Sequence, residues 1–364
     1  MTEHLDALFS DEDLGAQRMM ALLLDPKVSE ITANDHATIF LQGPQGKSMI
    51  RDKIFAGPAQ YVRWINNLLK MTDAGFVDVE SARAPVIEGS FMADVRGSIH
   101  VCTREITRGE PVVTIRKQPD HYITLDEMVA QRMMPAEIRD FLIMAMRGRL
   151  NILVSGGSGA GKTTLARAMS AYIDPAHRIM SAEEIDELHL EERIPNAVSL
   201  TTHRLRDEQG RIIRETTLED LVKEALRMRA DRIWVGETRG KEAYALVKAC
   251  NSGHDGSLTT LHADDGSSAV KQAITYVMEG GVAEEVARDQ VARAFHLVVQ
   301  ISRVRPNERR VTEITELEPV REGNEQRRNL LFRYDYFEDT WVREGHPTQR
   351  LLQTLAKNGV NYTG

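Results

Sequence analysis

The stretch Gly156-Gly157-Ser158-Gly159-Ala160-Gly161-Lys162-Thr163 constrains this chain more than any other. It follows the pattern glycine, any four residues, glycine, lysine, then serine or threonine. That pattern has structural meaning only between a strand and a helix. Both flanks comply: Asn151-Ile152-Leu153-Val154 is an apolar strand-forming run, and Thr164–Tyr172 (TLARAMSAY) reads as a helix. Glycines let successive backbone N–H groups turn inward around an anion, and the helix N-terminus adds partial positive charge. With strand, loop and helix in register, a glycine-rich turn without a ligand is the poorer reading. Residues Gly156, Gly157, Ser158, Gly159, Ala160, Gly161, Lys162, Thr163 and Thr164 are therefore expected to cradle the phosphates of ATP. Lys162 would reach the β- and γ-phosphates, and the Thr163 hydroxyl would ligate Mg²⁺.

A loop of this kind does not separate kinases, GTPases, DNA motors and transport ATPases; the acids downstream must do that. Asp231-Arg232-Ile233-Trp234-Val235-Gly236-Glu237 is an apolar strand ending in a carboxylate. Such a strand can deliver Glu237 beside the loop, for Mg²⁺ or its waters. A second strand, Arg178–Ala182, ends in Glu183-Glu184-Ile185-Asp186-Glu187. Glu183 is expected to orient and deprotonate an attacking water; Glu184, Asp186 and Glu187 are weaker candidates, and the plain alternative for the whole run is a solvated helix start favoured by the helix dipole. Further on, Gly253-His254-Asp255-Gly256 makes a sharp turn before the β-prone run Ser257–Leu261, which ends in His262. A neutral imidazole there could sense the γ-phosphate, or could simply be satisfied within the core.

At 364 residues the chain exceeds what one core supports, so two or three domains are expected. The first third reads as α+β: helices over Leu14–Leu24 and Tyr61–Met71, strands over Val28–Thr32, Thr38–Gln42, Ile99–Thr103 and Val112–Arg116. From Asn151 onward, strands alternate with helices, which predicts a parallel, helix-flanked sheet. The expected division is an N-terminal α+β domain (1–118), a linker (119–135), a P-loop domain (136–305) and a small C-terminal α+β appendage (306–364). The net charge of −8 disfavours a dedicated nucleic-acid binder, and the basic stretch Arg303–Arg310 (RVRPNERR) reads as a solvated linker. No apolar run approaches the roughly 20 residues of a membrane helix, and the N-terminus lacks the pattern of a secretory signal. Cys102 and Cys250 are too few for a disulfide framework or a four-thiolate zinc site and read as buried apolar side chains. A cytoplasmic protein is expected.

The P-loop, the acidic pair Glu183-Glu184, the segment Gly236-Glu237-Thr238-Arg239-Gly240 and the histidine box Gly253–His262, in that order, resemble the ATPases of type II and type IV secretion and type IV pilus assembly. Leu226-Arg227-Met228-Arg229-Ala230-Asp231-Arg232-Ile233 and Gly253-His254-Asp255-Gly256-Ser257 place the likeness in the branch of VirB-type secretion ATPases and tight-adherence pilus ATPases. Glu30-Ile31 and Thr114-Ile115-Arg116-Lys117 also match, so the resemblance covers roughly residues 15–320. The likeness implies a RecA-like P-loop ATPase fold and a homohexameric ring with nucleotide between the two domains. It implies a soluble motor, peripheral at the inner membrane, that powers secretion, conjugation or pilus machinery without binding nucleic acid directly. It makes Glu183 the general base, Glu237 the Mg²⁺-side carboxylate and His262 the γ-phosphate-proximal histidine. Arg116 would reach the nucleotide from the N-terminal domain. Arg239, Arg227 and Arg204 are further arginine candidates, each equally readable as a surface ion pair.

The chain departs from the branch in three places. Ala230 stands where proline is usual, Glu184 replaces an aspartate, and Arg96-Gly97-Ser98-Ile99-His100 fits poorly where relatives carry an arginine after Gly-Ser. The tetracysteine module of many type II and pilus-extension ATPases is absent. Two rivals remain from sequence: a DNA-translocating or helicase-type motor on the same fold, and a nucleotide-binding scaffold that does not hydrolyse.

Overall fold

A computed structural model of the chain describes residues 14–43, 46–75, 77–82, 84–91, 95–118, 122–206, 212–306, 308–319 and 328–362, with backbone alone at 205 and 206. It divides into two compact units, one running to His121 and including Arg204–Glu215, the other comprising Tyr122–His203 and Thr216–Gly364.

The first unit is built on a six-stranded sheet. Its strands are β1 (Glu30–Ala33), β2 (Ile39–Gly43), β3 (Gly46–Met49), β4 (Val86–Ser90), β5 (Gly97–Cys102) and β6 (Val112–Lys117), in the order β3-β2-β1-β6-β5-β4. Every pairing is antiparallel. One face is apolar by strict alternation: Ile99 and Val101 on β5, and Val113 and Ile115 on β6, are all essentially buried. Helices α1 (Leu14–Leu24) and α2 (Pro58–Lys70) contribute to the same core, α2 through Tyr61, Trp64, Ile65, Leu68 and Leu69. Strands β3 and β4 escape sequence reading because each is short and broken by polar residues. A two-stranded ribbon, β10 (His203–Arg206) with β11 (Ile212–Thr216), completes the element list on this side of the division.

The second unit begins with α3 (Leu125–Ala130) and α4 (Ala136–Arg147). Thr124 and Glu127 form a reciprocal cap of α3. Six residues of the expected linker 119–135, Leu125–Ala130, are helix, and Leu125 and Met128 are fully buried in this unit's core; residues 119–121 lie outside the described residues. A nine-stranded sheet follows, in the order β17-β16-β15-β14-β7-β13-β12-β8-β9. Its parallel part comprises β7 (Ile152–Ser155), β8 (Ile179–Glu183), β9 (Ala197–Thr201), β12 (Arg232–Val235), β13 (Leu258–Leu261) and β14 (Leu297–Arg305). Strands β7, β12 and β13 are buried at every position, as a parallel sheet covered on both faces requires. Its helices include α5 (Lys162–Ser170), α6 (Leu218–Arg227), α7 (Glu242–Asn251), α8 (Gly266–Met278) and α9 (Glu284–Ala294).

Residues 306–364, expected as an appendage, are built onto this same sheet. Strands β15 (Glu308–Leu317), β16 (Arg328–Asp335) and β17 (Thr340–Arg343) add antiparallel to β14, and α10 (Gln349–Lys357) buries Leu351 and Leu355 in the shared core. Arg303–Arg310 is no solvated linker either: β14 runs on to Arg305 and turns back into β15. Cys250 is buried as expected, whereas Cys102 is half-exposed. Among the described residues no helix is long and apolar enough to cross a membrane.

Candidate active site

Parallel strands bring all their carboxyl ends to one edge of the sheet, and the loops that leave there form the natural ligand crevice. Across the sheet the neighbours run β7, β13, β12, β8. The residues that follow them are the P-loop, His262, Glu237 and Glu183. Four segments distant in sequence thus meet because of strand order alone.

The P-loop joins β7 to α5, with Gly159 at φ +66° and Gly161 at φ +103°, left-handed values that favour glycine. Gly156 is required for a different reason: a Cβ there would lie 2.2 Å from the Ile301 carbonyl oxygen of β14. Lys162 is largely buried. Its ammonium donates to the carbonyls of Gly156 (3.1 Å) and Gly157 (3.2 Å) and to His262 Nδ1 (3.2 Å). Since an ammonium only donates, Nδ1 accepts; the imidazole proton then sits on Nε2, which lies 2.9 Å from Glu237 Oε1. Arg239 grips the same carboxylate with Nε (3.0 Å) and Nη2 (3.1 Å), and reaches Glu184 with Nη1 (3.1 Å).

One line of contacts therefore runs Lys162–His262–Glu237–Arg239–Glu184. Burial pulls the Lys162 ammonium below its ordinary range, with Glu237 opposing. Burial pushes Glu237 up, but hydrogen bonding and charge from Arg239, then His262 and Lys162, outweigh it and leave Glu237 below the usual carboxylate range. Glu237 is thus held as an anion.

Glu183 has the opposite environment. It closes β8 and is 4% exposed. Gly236 makes room for it, since a Cβ at that position would come within 2.7 Å of Glu183 Cγ. Its Oε2 accepts from the backbone N–H groups of Glu187 (3.0 Å) and Leu188 (3.1 Å), and its Oε1 is buried with no protein partner. Burial, then the charge of Asp186, pushes its carboxyl up to about 8 against those two N–H groups. A carboxyl so placed is tuned to exchange a proton near neutral pH.

The acidic run after Glu183 does not start a helix. It loops back over the Glu183 carboxylate into a single 3₁₀ turn, Leu190–Glu192, because two of its N–H groups are engaged by that buried side chain. This brings Glu187, a weaker candidate from sequence, to 3.4 Å from the Thr163 hydroxyl. Thr164 is exposed on the first turn of α5. Two further residues escaped sequence reading: Arg309 Nε (3.1 Å) and Arg303 Nη2 (3.4 Å) both donate to the Gly159 carbonyl at the P-loop tip. The alternation of Ile301, Arg303 and Arg305 was the available signal that the strand continues.

The remaining candidates lie elsewhere. Arg116 is the last residue but one of β6 in the first unit, 3.6 Å from Glu30. Arg227 pairs with Glu224 on α6 (3.3 Å) and Arg204 with Glu215 (2.6 Å), both at exposed positions. His254 precedes β13 whereas His262 follows it, so the histidine box spans the sheet. The Thr163 hydroxyl with the Glu237 carboxylate is a hard oxygen pair suited to Mg²⁺. The glycine loop ahead of α5 fits an oligophosphate.

A family profile described as type II/IV secretion system protein matches residues 17–326. The conjugal transfer protein TrbB of Rhizobium radiobacter is 34% identical over 219 residues, 59% of this chain and 63% of TrbB. The type IV secretion system protein VirB11 of Bartonella quintana is 35% identical over 178 residues, 48% of each chain. The chain thus spans about half to just under two thirds of the length of these relatives. Among solved structures, the ATPase DotB of Legionella pneumophila superposes with a TM-score of 0.59 at 18% identity, covering 95% of this chain and 86% of that one. The pilus retraction motor PilT with bound ADP gives 0.57 at 15% identity, covering 94% and 86%. These two share the RecA-like fold of the second unit. With the match extending over most of its length, this chain belongs to the type II/IV secretion system protein family.

Proposed function

We propose that the chain is a Mg²⁺-dependent ATPase that works as a homohexameric ring and drives a secretion, conjugation or pilus machine docked at the inner membrane. The observation that carries the reading is the pairing, at one edge of one sheet, of a P-loop lysine with a buried carboxyl that has a free oxygen. The loop N–H groups and Lys162 bind the phosphates, and Lys162 exchanges its loop carbonyls for them. Glu183 Oε1 takes the proton of the attacking water. His262, between Lys162 and Glu237, links phosphate occupancy to the carboxylate. Thr163 and Glu237 would hold Mg²⁺, which when bound offsets charge on the phosphate oxygens. The relatives' printed roles in conjugal transfer, type IV secretion and pilus retraction support the assignment to a machine of this class. Arg116 is proposed as the first unit's contribution to the nucleotide site, released from Glu30 when it acts.

The test is Mg²⁺-dependent ATP turnover with mass by light scattering, for wild type and Glu183→Gln. Expected are turnover by wild type, a mass near six chains, and a loss of about a thousandfold in the variant with nucleotide binding kept. A fully active variant removes Glu183 as the base; a wild type that binds ATP without hydrolysing it supports the scaffold reading instead.

A further inference from the structure

The second unit opens with Tyr122, the first described residue after the chain leaves the other unit. Two guanidinium groups lie against its ring, Arg167 at 3.8 Å and Arg193 at 5.5 Å from the centroid. Arg167 lies on α5, the helix that begins with the P-loop lysine, and is only 8% exposed. Its Nε donates to the Leu188 carbonyl at 2.9 Å, and one of its Nη atoms is buried without a partner. Leu188 in turn donates its own N–H to Glu183 Oε2 at 3.1 Å. Arg193 reaches back to the Arg167 carbonyl at 3.4 Å.

We propose that Tyr122 and Arg167 are positioning residues for Glu183, forming a relay in which the ring of Tyr122 restrains Arg167, Arg167 holds the Leu188 backbone at its carbonyl, and the N–H of the same residue holds the carboxylate. A buried arginine with a vacant donor has several ways to turn, and the aromatic face of Tyr122 removes that freedom on one side. The Leu188 carbonyl and N–H lie in the two peptide planes on either side of its Cα, so the hydrogen bond from Arg167 anchors one of those planes and, with the Leu188 side chain fully buried, narrows the freedom of the other. Displacement of a reacting group by about 1 Å costs on the order of a hundredfold in rate, so a partial loosening of this loop is expected to show in turnover. Arg167 feels the same arrangement electrostatically. Burial lowers its ordinary basicity, and Tyr122 and then Glu183 oppose the shift.

This inference rests on Glu183 being the base, so its test carries a readout that does not require turnover. Tyr122 is half-exposed, and its replacement leaves the core intact. In the full chain, Tyr122→Ala is expected to lower kcat about tenfold with the nucleotide Kd unchanged, and Tyr122→Phe, which keeps the ring face, to recover to within about threefold of wild type. The Glu183 carboxyl is then followed by ¹³C NMR, its signal assigned by its loss in Glu183→Gln. In Tyr122→Ala its titration midpoint should move upward, because the two N–H groups that favour the anion are held less well. An unmoved or lowered midpoint overturns the relay. So does a Tyr122→Phe protein as impaired as Tyr122→Ala. If the midpoint rises while wild type shows no turnover, the relay stands and the ATPase reading falls.

Discussion

The parallel sheet of the second unit carries a polar cluster at each end, and the two are built from similar residues to opposite effect. At the carboxyl end stand Lys162, His262, Glu237, Arg239 and Glu183. At the amino end stand Asn151, Arg232, His296, His254 and Ser257, all but His254 buried. There Asn151 alone satisfies three backbone groups: Nδ2 donates to the Ala294 carbonyl (2.7 Å), and Oδ1 accepts from Gly256 (2.8 Å) and Ser257 (2.9 Å). His296 Nδ1 accepts from the Asn151 N–H at 2.9 Å, and burial pulls its imidazole down to about 4, so it remains neutral. Arg232 donates to the Met146 carbonyl at 3.1 Å, and burial, then Arg149, pulls it down to about 10. The amino-end side chains mostly close off backbone groups; at the carboxyl end His262, Glu237 and Arg239 contact one another, Lys162 joins them through His262, and Glu183 keeps one oxygen unpartnered beside its two backbone N–H groups. Polar side chains tied to backbone are structure, whereas titratable groups tied to each other can exchange a partner for substrate.

The largest effect expected from this contrast is at Lys162. Lys162→Ala removes the phosphate-facing cation and takes a donor from one buried acceptor, the Gly156 carbonyl, so kcat should fall by about a thousandfold or more while thermal stability falls far less than kcat does. Asn151→Ala should do the reverse. It leaves three buried backbone groups without partners, at roughly 1–3 kcal/mol each before relaxation, so unfolding should become easier by about 3 kcal/mol or more. ATP turnover per folded molecule should hold. Chemical denaturation and turnover measured on both variants test the division: if Asn151→Ala loses turnover in the folded state, the two ends are not separable.

The two histidines of the Gly253–His262 box sharpen the same point with smaller effects. His262→Gln should lower kcat about tenfold, because glutamine cannot reproduce a donor and an acceptor on opposite sides of one rigid ring. His254, whose Nδ1 lies 3.1 Å from the Ala249 carbonyl, should tolerate the same change with turnover intact. Equal losses at both would mean that the box acts as a unit across the strand.

Much of this arrangement was legible in sequence because it follows from local pattern. The P-loop announces its strand and helix, Thr124 three residues before Glu127 has the pattern of a cap, and β12 (Arg232–Val235) lies within the apolar run that ends in Glu237. What was not legible depended on strand order and on how chains fold back. Nothing in Gly253–His262 says that its two histidines lie at opposite ends of a strand; that requires knowing β13 crosses the sheet. Glu187 was a weaker candidate because a run of acids resembles a solvated helix start, and only the burial of Glu183 turns the loop towards Thr163. Arg303 and Arg309 looked like a linker because Pro306 and Asn307 interrupt the apolar pattern, yet they flank the turn that lays β15 against β14.

The smallest expected effect tests the feature that most separates Glu183 from the anionic Glu237. Burial and the charge of Asp186 raise the Glu183 carboxyl to about 8 in the folded protein, well above the carboxylate range it has when unfolded. Between roughly pH 5 and pH 8 the folded state therefore holds a proton that the unfolded state has lost. The stability linked to that proton is full at low pH and disappears as pH rises through the folded value. Glutamine at this position never ionises, so Glu183→Gln should melt close to wild type near pH 4, progressively above it as the pH rises towards the folded value of about 8, and by a constant margin beyond that. The gap should be about 2–4 °C or more for each kcal/mol of difference in a protein with units of this size. At Glu237, where Arg239 and His262 favour the anion, glutamine should instead lose stability relative to wild type over the same range. If the Glu183→Gln gap is flat with pH, the carboxyl is ionised throughout, and it would need its acceptor geometry alone, not a tuned proton affinity, to act as the base.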